Sequence, residues 1–295
     1  MISNWLVKTR VIRYTNIVKI LGDYHTHTNY SDGQTPVIEI VQAAKEKGLS
    51  EVAVTDHGPS KIIKGLRRKK FGRLIGDVQA AKSEMTVLLG AEANVINTKG
   101  KIDLDGSIRK DLDLLLFGVH VVVWYSFGAF LTFWLPNIVF NFLRFVPKYQ
   151  IRRNTEIVKR VLEKNQIDIW THPSRYFKVD VVSVAKTCVE RGTLIELNSK
   201  RISFRPVDFE RMAALGAKFI ICSDAHSPKR VGDVTRAEEF LRNCDYRPID
   251  IINLGQTYTE YKTGKDKKED ENISGGNQNR DTKQQGASKR KLWRH

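Results

Sequence analysis

The chain has 295 residues, of which 41% are hydrophobic, so it is long enough to bury one large core. Its three cysteines (Cys188, Cys222 and Cys244) show no close pairing, which argues against a disulfide scaffold or a thiolate zinc site and favours a reducing, cytoplasmic location. The net charge of +16 favours polyanionic partners or a membrane surface but says nothing about the fold.

Residues 1–19 form a basic leader, in which lysines and arginines alternate with apolar side chains. The segment has no continuous apolar run and no small-residue cleavage site, so we do not expect a signal peptide. Two interpretations stay open. The leader is either partly ordered, or an amphipathic helix that lies on a membrane or on the rest of the protein.

The next segment, residues 17–21, is apolar and predicts a buried strand that leads into residues 22–33. There His25 and His27 lie two positions apart, so both imidazoles point to the same side of an extended backbone. Asp32 follows in a Ser-Asp-Gly turn and can fold back over the same place. The pair suggests a metal site, although a histidine is also a common satisfied polar group in a core.

From here to about residue 243 the sequence predicts alternating helices and parallel strands. We expect Thr35 to cap the first helix, with Pro36 in its first turn and Gly48 at its end. A strand follows at residues 52–54. Further helices are predicted at 74–85, 151–164, 180–191, 207–215 and 235–243, and further strands at 87–91, 113–119, 167–171, 193–197 and 218–222.

Metal-ligating side chains follow most of these predicted strands. They are His57, Glu92, His120, His172 and His226. Because the carboxyl ends of parallel strands in an α/β barrel meet on one face, a single shared metal site is the economical explanation. The seventh histidine, His295, is most simply a residue of the tail.

These motifs resemble those of the polymerase and histidinol phosphatase (PHP) family of phosphoesterases, in family order and over roughly residues 20–255. They are His25-Thr-His27, Ser31-Asp32-Gly33, Thr55-Asp56-His57, Gly90-Ala-Glu92, Gly118-Val-His120, Thr171-His172-Pro173 and Ser223-Asp224-Ala225-His226. The resemblance implies an α/β fold, a distorted TIM-like barrel with seven (β/α) repeats. It also implies two to three divalent metal ions.

The resemblance also implies which residues hold each ion. The first metal would be held by His25, His27, Glu92 and Asp224. The second would be held by Glu92, as a bridge, with His120 and His172. The third would be held by Asp32, His57 and His226. Imidazole and carboxylate ligands suit zinc, manganese or iron and do not choose among them.

A carboxylate that bridges two metals holds them close, where a water between them can ionise and attack a phosphomonoester in line. We therefore expect catalytic roles for Glu92, Asp224 and His226, with Asp224 left open as either ligand or base. Four basic residues that follow strands are candidates for binding phosphate, although each could equally be a solvated loop residue. They are Arg175, Lys200, Arg201 and Arg205.

Two segments depart from a plain barrel. Residues 64–73 contain six basic side chains and are either a phosphate or nucleic-acid patch or the solvated start of a helix. Residues 121–146 form an apolar insert with no charge before Arg144. The insert is long enough to span a bilayer, but His120 and His172 on its two sides should reach one site. We expect a lid, a packing insert or a dimer contact. The alternative is an interfacial membrane anchor, as a re-entrant or interfacial hairpin that is broken at Pro136 and Asn137.

The domain organisation follows as a leader (1–19), a barrel (20–255) and a disordered polar and basic tail (256–295). The expected function is hydrolysis of a small phosphomonoester by a metal-dependent phosphatase, closest to the histidinol-phosphatase branch. One alternative is a nuclease or nucleotide phosphatase, favoured by the positive charge and residues 64–73. Another is a non-catalytic PHP module that scaffolds a partner.

Overall fold

Seven parallel strands run in chain order around a nearly closed barrel, which confirms the predicted distorted (β/α)7 fold. A parallel bridge between Thr26 and Ala225 joins the first and last repeats. The strands are β1 (Gly22–Asp23), β2 (Glu51–Val54), β3 (Thr86–Asn94), β4 (Leu114–Gly118), β5 (Ile169–Trp170), β6 (Leu194–Asn198) and β7 (Phe219–Cys222). The computed structural model describes residues 18–62 and 65–267, so predictions for residues 1–17 and 268–295 lie outside it.

The helices that connect the strands agree with the predicted ones in number and place, apart from three in segments read as irregular. They are α1 (Val37–Glu46), α2 (Arg68–Ala81), α3 (Gly106–Arg109), α4 (Phe127–Ala129), α5 (Leu135–Phe142), α6 (Lys148–Lys164), α7 (Val181–Arg191), α8 (Pro206–Ala214) and α9 (Thr235–Leu241). Helix α2 begins six residues earlier than predicted, because Phe71 extends its buried apolar stripe by one turn.

The first strand and the first helix differ in detail from the prediction. Strand β1 starts at Gly22, not within residues 17–21. Thr35 does not cap α1; the N-cap is Pro36, without a side-chain hydrogen bond, and the buried Thr35 hydroxyl has no partner among the described residues. The expected end of the helix is confirmed, because Gly48 adopts φ 69°, a left-handed conformation that glycine accepts without strain.

The core lies between the strands and the surrounding helices. All four residues of β7 are fully buried, as are Ile40 and Val41 of α1 and Val184 of α7. These side chains lie on the inward stripes of helices and on strands covered on both faces, as parallel barrels require. Burying each large apolar side chain contributes about 1.5–3 kcal/mol, so the barrel holds its strand ends in fixed places.

The apolar insert is helical from Phe127 to Phe142, through α4, a π-helical turn (Phe130–Trp134) and α5. The predicted break at Pro136 and Asn137 is therefore wrong. Pro136 is the second residue of α5, and the π-helical turn lies just before it, where a regular helix would press the proline ring against a carbonyl group.

One side of the insert belongs to the core. Phe133 is fully buried against Phe177, with ring centroids 4.9 Å apart. Asn137, one turn further on, is also fully buried and exchanges two hydrogen bonds with Asn154 of α6 at 2.7 and 2.9 Å. These contacts agree with the interpretation of the segment as a packing insert. In the described residues, no helix combines the length and the apolar character needed to cross a membrane.

The chain divides into two units at Gly255 and Gln256, and the second begins with an unpredicted helix over residues 258–267. Its N-terminus carries a reciprocal cap. The Thr257 hydroxyl accepts from the Glu260 N–H at 3.2 Å, and the Glu260 carboxylate accepts from the Thr257 N–H at 2.7 Å. This Thr-x-x-Glu pattern is a sequence signal for the start of a helix, although the polar composition of the tail predicts disorder.

Candidate metal centre

The six internal histidines form one cluster at the carboxyl ends of the strands. Their rings lie in contact, with centroid distances of 4.3 Å from His27 to His57, 4.4 Å from His27 to His226 and 4.8 Å from His120 to His172. Glu92 and Asp224 lie among them, with Asp32 at the rim. The structure thus brings all nine predicted ligands together, and their metal-binding roles stay a prediction.

Within this cluster, three groups of ligand atoms are close enough to share an ion, with all atoms of a group within 4.8 Å of one another. The groups are His25, His27 and Asp224; His57, Glu92 and His120; and His27, Asp32, His57 and His226. They correspond to the three implied sites with three differences. Glu92 is absent from the group of His25, His27 and Asp224. His57 takes the place of His172 beside Glu92 and His120, and His27 joins the group around Asp32.

Glu92, at the end of β3, is the centre of the cluster and is fully buried. Its Oε2 atom lies near one ring nitrogen of each of four histidines, at 3.4 Å from His25, 3.7 Å from His27, 2.9 Å from His57 and 3.4 Å from His120. Its Oε1 atom lies 2.8 Å from His172 Nε2 and accepts from the Thr171 hydroxyl at 2.7 Å. Burial opposes ionisation, but the neighbouring imidazoles, led by His120, hold the pKa of Glu92 well below its usual range.

Several buried polar atoms of the cluster have no hydrogen-bond partner among the described residues. They are Nε2 of His25, both ring nitrogens of His27, Nδ1 of His57 and Oε2 of Glu92. Such atoms are costly to bury without a partner, and most native proteins avoid them. Imidazole nitrogens and a carboxylate oxygen are also common ligands of zinc, manganese and iron. The donor set therefore fits divalent cations.

The charge states of His27 and His120 also suit ligation. Burial, with the neighbouring His57 and His226, holds the pKa of His27 well below its ordinary value. Burial likewise lowers the pKa of His120 well below its ordinary value, although Glu92 acts against it. At neutral pH both rings are therefore neutral, and a neutral imidazole nitrogen carries the lone pair that a metal requires.

Two candidate ligands have strained backbones. His172 adopts φ 30° and Asp224 adopts φ 52°, in the left-handed region that residues other than glycine rarely adopt. Each such conformation costs about 1–3 kcal/mol and persists only where surrounding contacts hold it. With these conformations, both side chains point into the cluster. Nothing in the sequence indicates the left-handed conformations.

Glu196, two residues before the end of β6, is a residue of the site that the sequence analysis did not assign. Its Oε1 atom lies 2.6 Å from His25 Nδ1, and its Oε2 atom accepts from the His172 backbone N–H at 2.5 Å. Asn94 similarly places Oδ1 at 2.5 Å from His120 Nδ1. Oxygen partners of this kind fix the orientation of a ligating imidazole. The sequence signal that could have indicated Glu196 and Asn94 is their place in the chain, because both lie in the last residues of a strand, at the end where the other ligands lie.

The loop that carries Asp32 is anchored by the buried Asp56. Its carboxylate accepts from the Thr28 backbone N–H at 2.9 Å, from the Thr28 hydroxyl at 2.6 Å and from the Ser31 hydroxyl. At the tip of the anchored loop, Asp32 Oδ1 lies 3.4 Å from His57 Nε2. Its Oδ2 atom lies 2.5 Å from Lys61 Nζ. Lys61 is a cation at the site that the sequence analysis missed.

The four candidate phosphate-binding residues separate into two pairs. Arg175 Nη1 lies 3.0 Å and Lys200 Nζ 3.6 Å from the carboxylate of Asp224. Although burial opposes ionisation, His25 and Lys200 help to lower the pKa of Asp224 to about 2. Arg205 lies outside the cluster, because its exposed guanidinium is paired in a bidentate way with Asp208 at 2.9 Å. The exposed Arg201 contributes a backbone N–H to Asn198.

The basic segment 64–73 contains the start of α2. The side chains of Arg67, Arg68 and Lys69 are exposed, whereas Lys70 Nζ donates to the Tyr30 carbonyl at 3.1 Å, in the loop before Asp32. This placement agrees with the expected solvated helix start. It also leaves three cations free to meet a polyanion, so both interpretations of the segment stay open.

The cluster of imidazoles and carboxylates lies at the carboxyl ends of the strands, where α/β-barrel enzymes have their active sites. Its geometry is therefore that of a metal-dependent enzyme. A model of the PHP domain matches residues 23–200, which is more than half of the chain. The chain therefore belongs to the PHP domain family, and the family that the motifs predicted is confirmed.

Two relatives and one solved structure place the chain further. A "Probable phosphatase" of Thermoanaerobacter pseudethanolicus is 29% identical over 247 residues, covering 80% of this chain and 91% of the relative. One of Shewanella pealeana is 27% identical over 250 residues, covering 80% and 88%. The histidinol phosphate phosphatase of Lactococcus lactis, solved with zinc, L-histidinol and phosphate, has a TM-score of 0.53 at 15% identity over 77% of this chain and 94% of that one. The structural likeness establishes the fold.

Proposed function

We propose that the chain is a metal-dependent phosphatase that hydrolyses a small phosphomonoester. The observation that carries this proposal is the buried set of unpartnered imidazole and carboxylate atoms around Glu92, at the strand ends of the barrel. The names of the relatives, each a "Probable phosphatase", support the reaction class. Histidinol phosphate is the first substrate to test, because the Lactococcus structure holds L-histidinol and phosphate.

The ions would be held by the nine clustered ligands, with Glu92 shared between two of them. Bound divalent ions supply Lewis acidity, which lowers the pKa of water and polarises a phosphoryl oxygen. The chain contributes a rigid arrangement, because β3 fixes Glu92 while Glu196 and Asn94 orient the imidazoles of His25 and His120.

The substrate's phosphoryl group would lie at the open side of the cluster. Arg175, Lys200 and Lys61 bring positive charge there, and each now contacts a carboxylate that a phosphate can replace. Asp224 is ionised at neutral pH, which suits a metal ligand, whereas its low pKa makes it a weak base. His226 has a side chain 26% exposed at the rim, so it can reach the oxygen of a leaving group.

A nuclease or nucleotide phosphatase is the second candidate, favoured by the exposed Arg67, Arg68 and Lys69 and by the charge of +16. The non-catalytic scaffold is disfavoured, because no ligand position carries a substitution that removes a donor atom.

Free cysteines at all three positions support a cytoplasmic location.

A substrate panel separates the two candidates. Purified protein with added zinc or manganese is assayed on histidinol phosphate, p-nitrophenyl phosphate, bis(p-nitrophenyl) phosphate and a single-stranded oligonucleotide, each at rising salt. A small-monoester phosphatase hydrolyses the first two, with little dependence on salt. Preference for the oligonucleotide, with a steep loss of affinity in salt that Arg67→Gln and Arg68→Gln remove, would favour the nuclease.

A further inference from the structure

The insert presents an apolar surface to solvent on the side opposite its core contacts. Its outer face consists of Trp124, Phe127, Leu131, Leu135, Phe142 and Phe145. Trp124 is 68% exposed, Phe127 78% and Phe142 86%, which are high values for side chains of this size. A monomer in water rarely exposes such a contiguous patch unless the patch has a function.

The polarity of this helical segment is the reverse of that of a helix facing water. Of its two asparagines, Asn137 is fully buried and hydrogen-bonded and Asn141 donates to the Tyr176 carbonyl, while Phe127 and Phe142 face outward. A water-facing helix turns its polar side outward and its apolar side to the core. Phe133 of the same segment is fully buried, so the barrel does accept aromatic side chains from the insert. The outer face is therefore built for an apolar or interfacial medium.

The charges next to the outer face are all positive. No acidic residue occurs from residue 114 to residue 155, whereas Arg144, Lys148, Arg152 and Arg153 follow the apolar stretch. In the part of the chain that the structure describes, none of these four is paired with a carboxylate. An open cavity of about 530 Å³ lies on this side of α6. Tyr149, Arg152, Arg153 and Arg160 line it, with Glu156 as its one acid, so it suits an anionic group.

We propose that the outer face of the insert docks on an anionic lipid bilayer. The aromatic side chains would enter the boundary between headgroups and acyl chains, and the arginines after them would meet lipid phosphates. A second copy of the chain fits less well, because pairing two outer faces would bring two positive rims together without acidic partners. The bilayer matches both features of the surface.

Docking would also fix the orientation of the metal centre. The Tyr125 hydroxyl donates to the His120 carbonyl at 2.5 Å, and the Trp134 indole N–H donates to the Val121 carbonyl at 2.5 Å. On the other side of the site, Asn141 Nδ2 donates to the Tyr176 carbonyl at 2.6 Å. The insert is thus braced against both loops that carry His120 and His172. A membrane bound at the outer face would hold the barrel mouth at a constant angle to its surface.

The test is flotation of the full-length protein with vesicles of phosphatidylcholine alone and of phosphatidylcholine mixed with phosphatidylglycerol. We expect the protein to float with the mixed vesicles, less at high salt, and to float poorly with the neutral ones. Phe127→Ser and Phe142→Ser should each weaken binding about tenfold, because each removes one large apolar side chain from the lipid. Arg152→Gln with Arg153→Gln should remove the preference for anionic lipid.

Matched controls lie on other surfaces of the barrel. Ile249→Ser removes an apolar side chain that is 71% exposed, and Arg236→Gln with Arg242→Gln removes two exposed charges from α9. Neither should change flotation, and none of the variants should alter hydrolysis of p-nitrophenyl phosphate. Absence of flotation, or equal loss in the controls, overturns the proposal. So does a stable dimer in sedimentation that Phe127→Ser and Phe142→Ser dissociate, because the second copy would then be the occupant.

Discussion

Nδ1 of His25 lies 2.6 Å from Oε1 of Glu196, and the other oxygen of the same carboxylate accepts from the His172 backbone N–H. One buried carboxylate thus connects two candidate ligands on different strands. The Asn198 amide also donates to Oε2, at 3.0 Å. Because Oε2 receives two N–H donors, its role as an acceptor is fixed, and Oε1 is the atom that His25 Nδ1 meets.

Replacement of Glu196 by glutamine should impair metal binding without disturbing the fold. The amide oxygen must face the two donors from His172 and Asn198, so the amide NH₂ would face His25 Nδ1. That ring would then carry its proton on Nε2, the nitrogen beside Glu92, and could not ligate there. We expect metal affinity to fall about 10–100-fold, measured by competition with a chromophoric chelator.

The control for this substitution is Glu190→Gln, an exposed carboxylate of α7. It should leave metal affinity unchanged. If Glu196→Gln binds metal as tightly as the wild type, the orienting role assigned to this carboxylate is wrong.

Only glycine fits at position 118, at the end of β4, because side chains of the metal centre fill the space that a Cβ atom would need. A Cβ atom there would lie 2.6 Å from Glu92 Oε1, 2.6 Å from Thr171 Oγ1 and 2.7 Å from His172 Cε1. Gly118→Ala should therefore displace Glu92 and lower kcat/KM by about 100-fold, because small displacements of catalytic groups are costly. Steady-state kinetics on a phosphomonoester measures the effect.

Gly72→Ala on α2 is the matched substitution, since a Cβ atom there meets nothing within 4 Å. It should leave kcat/KM unchanged and stabilise the fold by about 0.5–1 kcal/mol through helix propensity. Equal activity of the two variants would show that the site tolerates displacement of Glu92.

Asn137→Ala should destabilise the protein by about 2 kcal/mol, because it removes two hydrogen bonds from the buried amide of Asn154, which then keeps only those to Gln150 and to the Lys178 carbonyl. The measurement is urea unfolding followed by far-UV circular dichroism. Asn243→Ala, at an exposed position of the segment after α9, should change the free energy of unfolding by much less. A similar small effect at both positions would mean that the inner side of the insert contributes little to the core.

Asp250 gives the stability a dependence on pH in acid. Its side chain is 4% exposed, and it accepts from Arg247 at 2.9 and 2.8 Å and from Lys218 at 3.1 Å. Burial opposes ionisation, but these hydrogen bonds lower the pKa of Asp250 below its ordinary value. The stabilisation is therefore present above the unfolded-state pKa, near 4, and is lost as the pH falls through the lower folded-state value.

We therefore expect Asp250→Asn to cost about 1 kcal/mol at neutral pH, since both cations are partly exposed, and progressively less below about pH 4. Urea midpoints of both proteins across this range measure the difference. A cost that stays constant with pH would show that the charge of Asp250 is not what stabilises this corner.

The barrel and the nine clustered side chains could be predicted from the sequence because their signals are local. A strand of four apolar residues followed closely by a histidine or an acid, as in β7 with Asp224, gives both the element and its functional end. How these ligands divide among ions stays a prediction. His27 and His57 face each other across adjacent strands, and no local pattern indicates how an ion would divide them.

What the sequence did not show depends on contacts between distant residues. Lys61 meets Asp32 only through the fold, and Arg205 is drawn away by Asp208 three residues later. Pro136 predicts a break in the insert because proline usually ends a helix, whereas here a π-helical turn lets the helix continue. No pattern in the sequence indicates which face of the insert is buried, because nearly every side chain in it is apolar.

The most direct test of the central claim is metal content measured together with turnover on one sample. The protein is stripped with EDTA, dialysed, and titrated with zinc or manganese while bound metal and hydrolysis of p-nitrophenyl phosphate are followed. We expect binding to saturate at about two to three ions per chain, turnover to appear only with bound metal, and Glu92→Gln to lose both. A chain that binds no divalent ion, or that hydrolyses the ester equally well after stripping, would contradict the account.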